Sequence, residues 1–75
     1  MIDFSTAKPR EVEGHIRTVI LKTFGDEIEN DAKVNASHGF YDVEFSIDGG
    51  DKEVKFTNFR KTDAPKIAKA IRALK

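Results

Sequence analysis

The chain has 75 residues, 35% of them charged and 39% hydrophobic, with no cysteine and a formal net charge of zero. One domain, residues 1–75, is expected at this length, and it buries only about 60% of the surface of its unfolded chain, so its core is shallow. Without cysteine there is no disulfide staple and no thiolate chemistry, which fits a reducing, cytoplasmic setting.

Met1-Ile2-Asp3-Phe4 lacks a long apolar stretch, and the longest apolar run, Val19-Ile20-Leu21, is far too short to span a bilayer. The expectation is a chain that is neither secreted nor membrane-spanning. Residues 2–4 also fit a short leading strand, followed by a polar break at Ser5-Thr6 and by Pro9, which suits a first helical turn. From Val12 the apolar residues Val12, Ile16, Val19, Ile20 and Phe24 recur at helical spacing, and Gly25 is a natural stop. Gly14 inside this helix costs about 1 kcal/mol relative to Ala. It marks either a close approach of another element or a tolerated surface position.

Asp26 to Asp31 reads as an acidic connection, and Ala32 to Gly39 carries a weaker strand pattern. With His38-Gly39 as a tight turn, Val34 pairs with Val43, Ala36 with Tyr41 and Lys33 with Glu44. The alternative is one long bent strand from Lys33 to Ile47. Asp42 to Phe56 alternates strictly around Gly49-Gly50, which specifies a hairpin. A two-residue turn there sets Phe45 opposite Val54, Val43 opposite Phe56, Glu44 opposite Lys55, Tyr41 opposite Asn58 and Phe40 opposite Phe59. A one-residue slip would send half the apolar set to water, so the register is well specified. The last helix opens at Thr62 or Asp63, with Pro65 in its first turn and Ala64, Ile67, Ala68, Ile71 and Leu74 as its apolar stripe.

The predicted fold is α+β: two helices packed on one face of a three-stranded antiparallel meander, in the order α-β-β-β-α. The covered face carries Val34, Tyr41, Val43, Phe45, Val54 and Phe56. The open face presents Lys33, Asn35, Ser37, Asp42, Glu44, Ser46, Lys55 and Thr57, with Lys33, Glu44 and Lys55 in one cross-strand row. Phe40 and Phe59 also fall on that open face, where an aromatic pair would serve as a hot spot for a protein partner, a self-association surface or a stacking platform for single-stranded bases. A competing reading buries them: a bulge near Asn58 would turn Phe59 inward, and Phe40 would fold over the sheet edge.

The charges are segregated along the chain. Residues 26–53 hold Asp26, Glu27, Glu29, Asp31, Asp42, Glu44, Asp48, Asp51 and Glu53 against Lys33 and Lys52. Residues 54–75 hold Lys55, Arg60, Lys61, Lys66, Lys69, Arg72 and Lys75 against Asp63 alone. Arg60, Lys61, Lys66 and Lys69 cluster where the last helix begins, and a helix N-terminus favours phosphate. The plain reading of these cations is a solvated helix face.

No phosphate loop, metal cluster or catalytic triad is present in the sequence. Ser37 beside His38 makes no nucleophile–base pair by adjacency, and His15, one turn after Glu11, reads as a helix-surface residue. The acidic run from Asp26 fails EF-hand spacing, because its twelfth position is Ser37 rather than Glu.

The element order, His38 in the first inter-strand turn, and Lys61, Lys66 and Lys69 at the start of the last helix resemble the double-stranded RNA-binding domain in topology. That resemblance implies contact with duplex phosphates through the last helix and with the minor groove through the first inter-strand loop. The family's Gly-Pro-x-His loop and its paired lysines before Ala are absent here. A leading strand would instead give β-α-β-β-β-α, an order that resembles small ribosome-associated and single-strand-binding folds.

The expected function is that of a small non-catalytic interaction or regulatory protein with a macromolecular partner, foremost a protein. It would bind through the open face (Phe40, Phe59, Lys33, Lys55) or a charged surface, with no cofactor, metal, membrane or small-molecule substrate. The alternative is a nucleic-acid-binding domain using Arg60, Lys61, Lys66 and Lys69.

Overall fold

The computed structural model describes residues 3–28, 32–47 and 49–75. Helix α1 runs from Pro9 to Phe24, followed by a 3-10 turn at Gly25–Glu27. Strands β1 (Lys33–Ser37), β2 (Phe40–Ile47) and β3 (Lys52–Phe59) form an antiparallel sheet in the order β1-β2-β3. A second 3-10 turn, Lys61–Asp63, leads into helix α2, Ala64–Ala73. This is the expected α-β-β-β-α order, and the bent-strand alternative is replaced by a hairpin.

Helix α1 buries Val12, Ile16, Val19, Ile20 and Phe24, the full apolar stripe read from its spacing. It begins on Pro9, whose missing N–H costs nothing at the first turn, and ends at Gly25, which takes a φ of +53°. Gly14 sits on the exposed side, and a methyl group built there would meet open space. The surface reading of this glycine therefore stands. Gly14→Ala is expected to stabilise the protein by about 1 kcal/mol by removing backbone freedom from the unfolded chain, seen as a higher thermal midpoint.

No leading strand forms at Asp3 and Phe4; Ile2 lies outside the described residues. The Asp3 carboxylate accepts hydrogen bonds from the Ser5 backbone N–H at 3.0 Å and the Ser5 hydroxyl at 2.6 Å, and Thr6 N–H donates to the Asp3 carbonyl at 3.2 Å. These short-range bonds fold the segment into a turn, the usual competitor of extended structure at Asp. They also hold the Asp3 carboxyl below its ordinary pKa.

His38 and Gly39 both have positive φ, +51° and +82°, as a two-residue hairpin turn demands, and they fix the predicted pairs Val34↔Val43, Ala36↔Tyr41 and Lys33↔Glu44. Between β2 and β3 the pairs Phe45↔Val54, Glu44↔Lys55 and Val43↔Phe56 also form as expected. The last pair is Ile47↔Lys52, and Gly49, Gly50 and Asp51 lie in the turn between the strands, while Asp48 lies outside the described residues.

The pairing of Tyr41 with Asn58 and of Phe40 with Phe59 gives way to the competing reading, a β-bulge at Asn58 that turns Phe59 inward. Tyr41 pairs with Phe59 while Val43 pairs with Phe56, so Thr57 and Asn58 together oppose Asp42. Asn58 adopts φ +56°, and its N–H, displaced from the ladder, donates to the Asp42 carboxylate at 2.9 Å. The bulge reverses the facing of everything after it.

Tyr41, Val43, Phe45 and Ile47 of β2 point into the core with Val34, Val54 and Phe59, where they meet the α1 stripe and Ala64, Ala68 and Ile71 of α2. Phe56, Ile67 and Leu74 are half-buried at its margin. Helix α2 starts after Asp63, as predicted, but the carboxylate turns back to accept the Arg60 N–H at 3.4 Å instead of capping the helix. The basic and acidic segments touch at two points among the described residues: Lys75 meets Glu27 at 3.6 Å and Lys55 meets Glu44 at 3.9 Å.

Candidate partner-binding face

Alternation along β2 puts Phe40, Asp42 and Glu44 on the face opposite the helices, all exposed. Lys33 and Asn35 of β1 and Lys55 and Thr57 of β3 share this face and are exposed as well. The row Lys33–Glu44–Lys55 crosses the sheet as predicted, with Glu44 between two cations. Both partners of the 3.9 Å Lys55–Glu44 contact are about half exposed, so solvent screens it and it adds little stability.

The two candidate aromatics separate. Phe59 is 5% exposed and stacks on Tyr41 with ring centroids 5.8 Å apart, whereas Phe40 is 42% exposed. Phe59 is therefore a core residue and leaves the open face. In its place the bulge brings Arg60 opposite Phe40, with the guanidinium carbon 5.4 Å from the ring centroid. A guanidinium over an aromatic ring at this range is an attractive contact that also holds both side chains in place. The sequence signal for this pair was Asn58, a residue that tolerates positive φ near a strand end.

The four cations assigned to the nucleic-acid alternative do not gather into one patch. Arg60 is drawn to Phe40 on the open face, and Lys61 is half-buried, where its charge helps lower the Asp3 pKa. Lys66 and Lys69 are exposed on the side of α2 opposite Ala64, Ala68 and Ile71. Since that stripe packs on the covered face of the sheet, these lysines and the Phe40–Arg60 pair look out from opposite sides of the molecule.

His38 is an exposed turn residue. His15 is half-buried, its ring edge-on to Phe4 with centroids 5.1 Å apart, and burial, aided by the Arg72 charge, lowers its pKa. Burial, with Glu13 nearby, raises that of Tyr41. Leu21 on the outer side of α1 is 61% exposed, a feature that the sequence reading did not single out. Among the described residues, no helix is long and apolar enough to cross a membrane.

Compared with protein-family models, curated proteins and solved structures, the chain finds no match.

Proposed function

We propose that the chain is a non-catalytic interaction module of the cytoplasm that binds a protein partner through the open sheet face, anchored by Phe40 and Arg60. The observation that carries this reading is the exposed Phe40 ring under the Arg60 guanidinium, on a face otherwise made of short polar and charged side chains. Aromatic and arginine side chains supply most of the energy at protein interfaces, and a surrounding polar rim sets orientation. Here the rim is the Lys33–Glu44–Lys55 row with Asn35, Ser37 and Thr57. A partner fitting it would offer an apolar pocket for Phe40 flanked by a carboxylate for Arg60.

Quantitative affinity capture with the purified chain tests this. Phe40→Ala is expected to weaken retention of a captured partner by about thirtyfold or more, a hot-spot loss. Lys66→Glu with Lys69→Glu is expected to leave retention unchanged. The nucleic-acid alternative predicts the reverse: binding to RNA or DNA that falls steeply with salt and is lost when Lys66 and Lys69 are changed. The splitting of the four cations argues against it.

A further inference from the structure

We infer that β3 is a dimerisation edge, on which a second copy of this chain adds its own β3 antiparallel to form a continuous six-stranded sheet. The two-residue turn makes Ser37↔Phe40 the closing pair of the first hairpin, and hydrogen-bonded pairs alternate from there. Phe40, Asp42 and Glu44 thus bond towards β1, and Tyr41, Val43, Phe45 and Ile47 towards β3. On β3 the backbone groups of Lys52, Val54 and Phe56 are used by β2, while those of Glu53, Lys55 and Thr57 point outward from the sheet. Among the described residues, no strand pairs with this edge.

Charge selects both the occupant and its register. With a two-fold axis perpendicular to the sheet through Val54, Glu53 faces Lys55 of the second copy, and the symmetry repeats the contact. Both residues carry outward backbone groups, so they form a hydrogen-bonded pair. Moving the axis by one residue sets Glu53 against its own copy in one direction and Lys55 against its own copy in the other, and each is a like-charge clash. In the favoured register the row Lys33–Glu44–Lys55 continues into Glu53 of the second copy, keeping its alternation of sign. On the covered face, Lys52 lies opposite Phe56 of the second copy, where its alkyl stem covers the half-buried ring. Charged side chains and bulges are the usual means of keeping an edge strand unpaired, but on this eight-residue edge the bulge is confined to Asn58 near the end, and Glu53 and Lys55 complement each other across the two-fold axis.

Sedimentation equilibrium from about 10 μM to about 1 mM tests the inference, with doubling of the monomer mass expected in that range. Glu53→Lys and Lys55→Glu each place two like-charge pairs across the interface and should raise the dissociation constant about tenfold, whereas the double exchange should restore it to within about threefold. Since the chain has no cysteine, Val54→Cys supplies a second readout. On mild oxidation it should link two copies, the directly opposed backbone positions lying within disulfide reach, and Ser37→Cys should not at the same concentration. A monomer throughout the range, or a dimer indifferent to both charge changes, overturns the inference. Phe40→Ala leaves the equilibrium unchanged, so the fate of this interface and that of the proposed binding face are read separately.

Discussion

Phe59→Ala is expected to lose about 3 to 5 kcal/mol of folding free energy, while Phe40→Ala at the adjacent position of the sheet changes stability by less than about 0.5 kcal/mol. Phe59 is buried against Tyr41 and lies in the same cluster as the α1 and α2 stripes, so truncating it removes apolar area and leaves a cavity beside a stacked ring. A chain of 75 residues is stabilised by only about 4 to 11 kcal/mol in total, so the Phe59 variant would be largely unfolded or nearly so. Urea unfolding followed by Tyr41 fluorescence is the direct measurement, since Tyr41 is the only tyrosine, there is no tryptophan, and its ring touches the mutated site. Equal, small losses at both positions would mean that the bulge does not turn Phe59 inward.

The contrast between these two phenylalanines also marks where the sequence stops being legible. Both helices follow from local periodicity, because burial of Val12, Ile16, Val19, Ile20 and Phe24 needs only one helix face and one covering surface. The registers follow from turn chemistry at His38-Gly39 and from alternation on either side of Gly49-Gly50. The bulge follows from neither, and Asn58 signalled it only as a competing reading. It depends on Asp42 accepting the displaced N–H of Asn58 across 16 residues of sequence, a contact that no local pattern encodes. Parity alone put Phe59 outside, and one inserted residue put it in the core and set Arg60 against Phe40 instead. The leading strand fails for a different reason: the Asp3 side chain outcompetes extended backbone through bonds to Ser5. Likewise, the basic cluster at the start of α2 was contiguous in sequence but not in space, since a strand end and a helix face point its members in different directions.

Phe45→Ala is expected to cost about 3 to 5 kcal/mol and Phe56→Ala only about 1 to 2 kcal/mol, although alternation gives the two residues identical status. Phe45 lies on the central strand, opposite Val54, with the Phe24 ring of α1 at 5.5 Å between centroids, and it is almost wholly buried. Phe56 lies on the edge strand, half-buried, where less apolar surface leaves water on folding. The difference is thus one between centre and edge rather than between faces, and paired denaturation curves at low protein concentration measure it. Where a second copy covers the β3 edge, the Phe56 ring gains cover that Phe45 already has. The cost of Phe56→Ala should then rise with protein concentration while that of Phe45→Ala, referred to the same concentrations, stays constant.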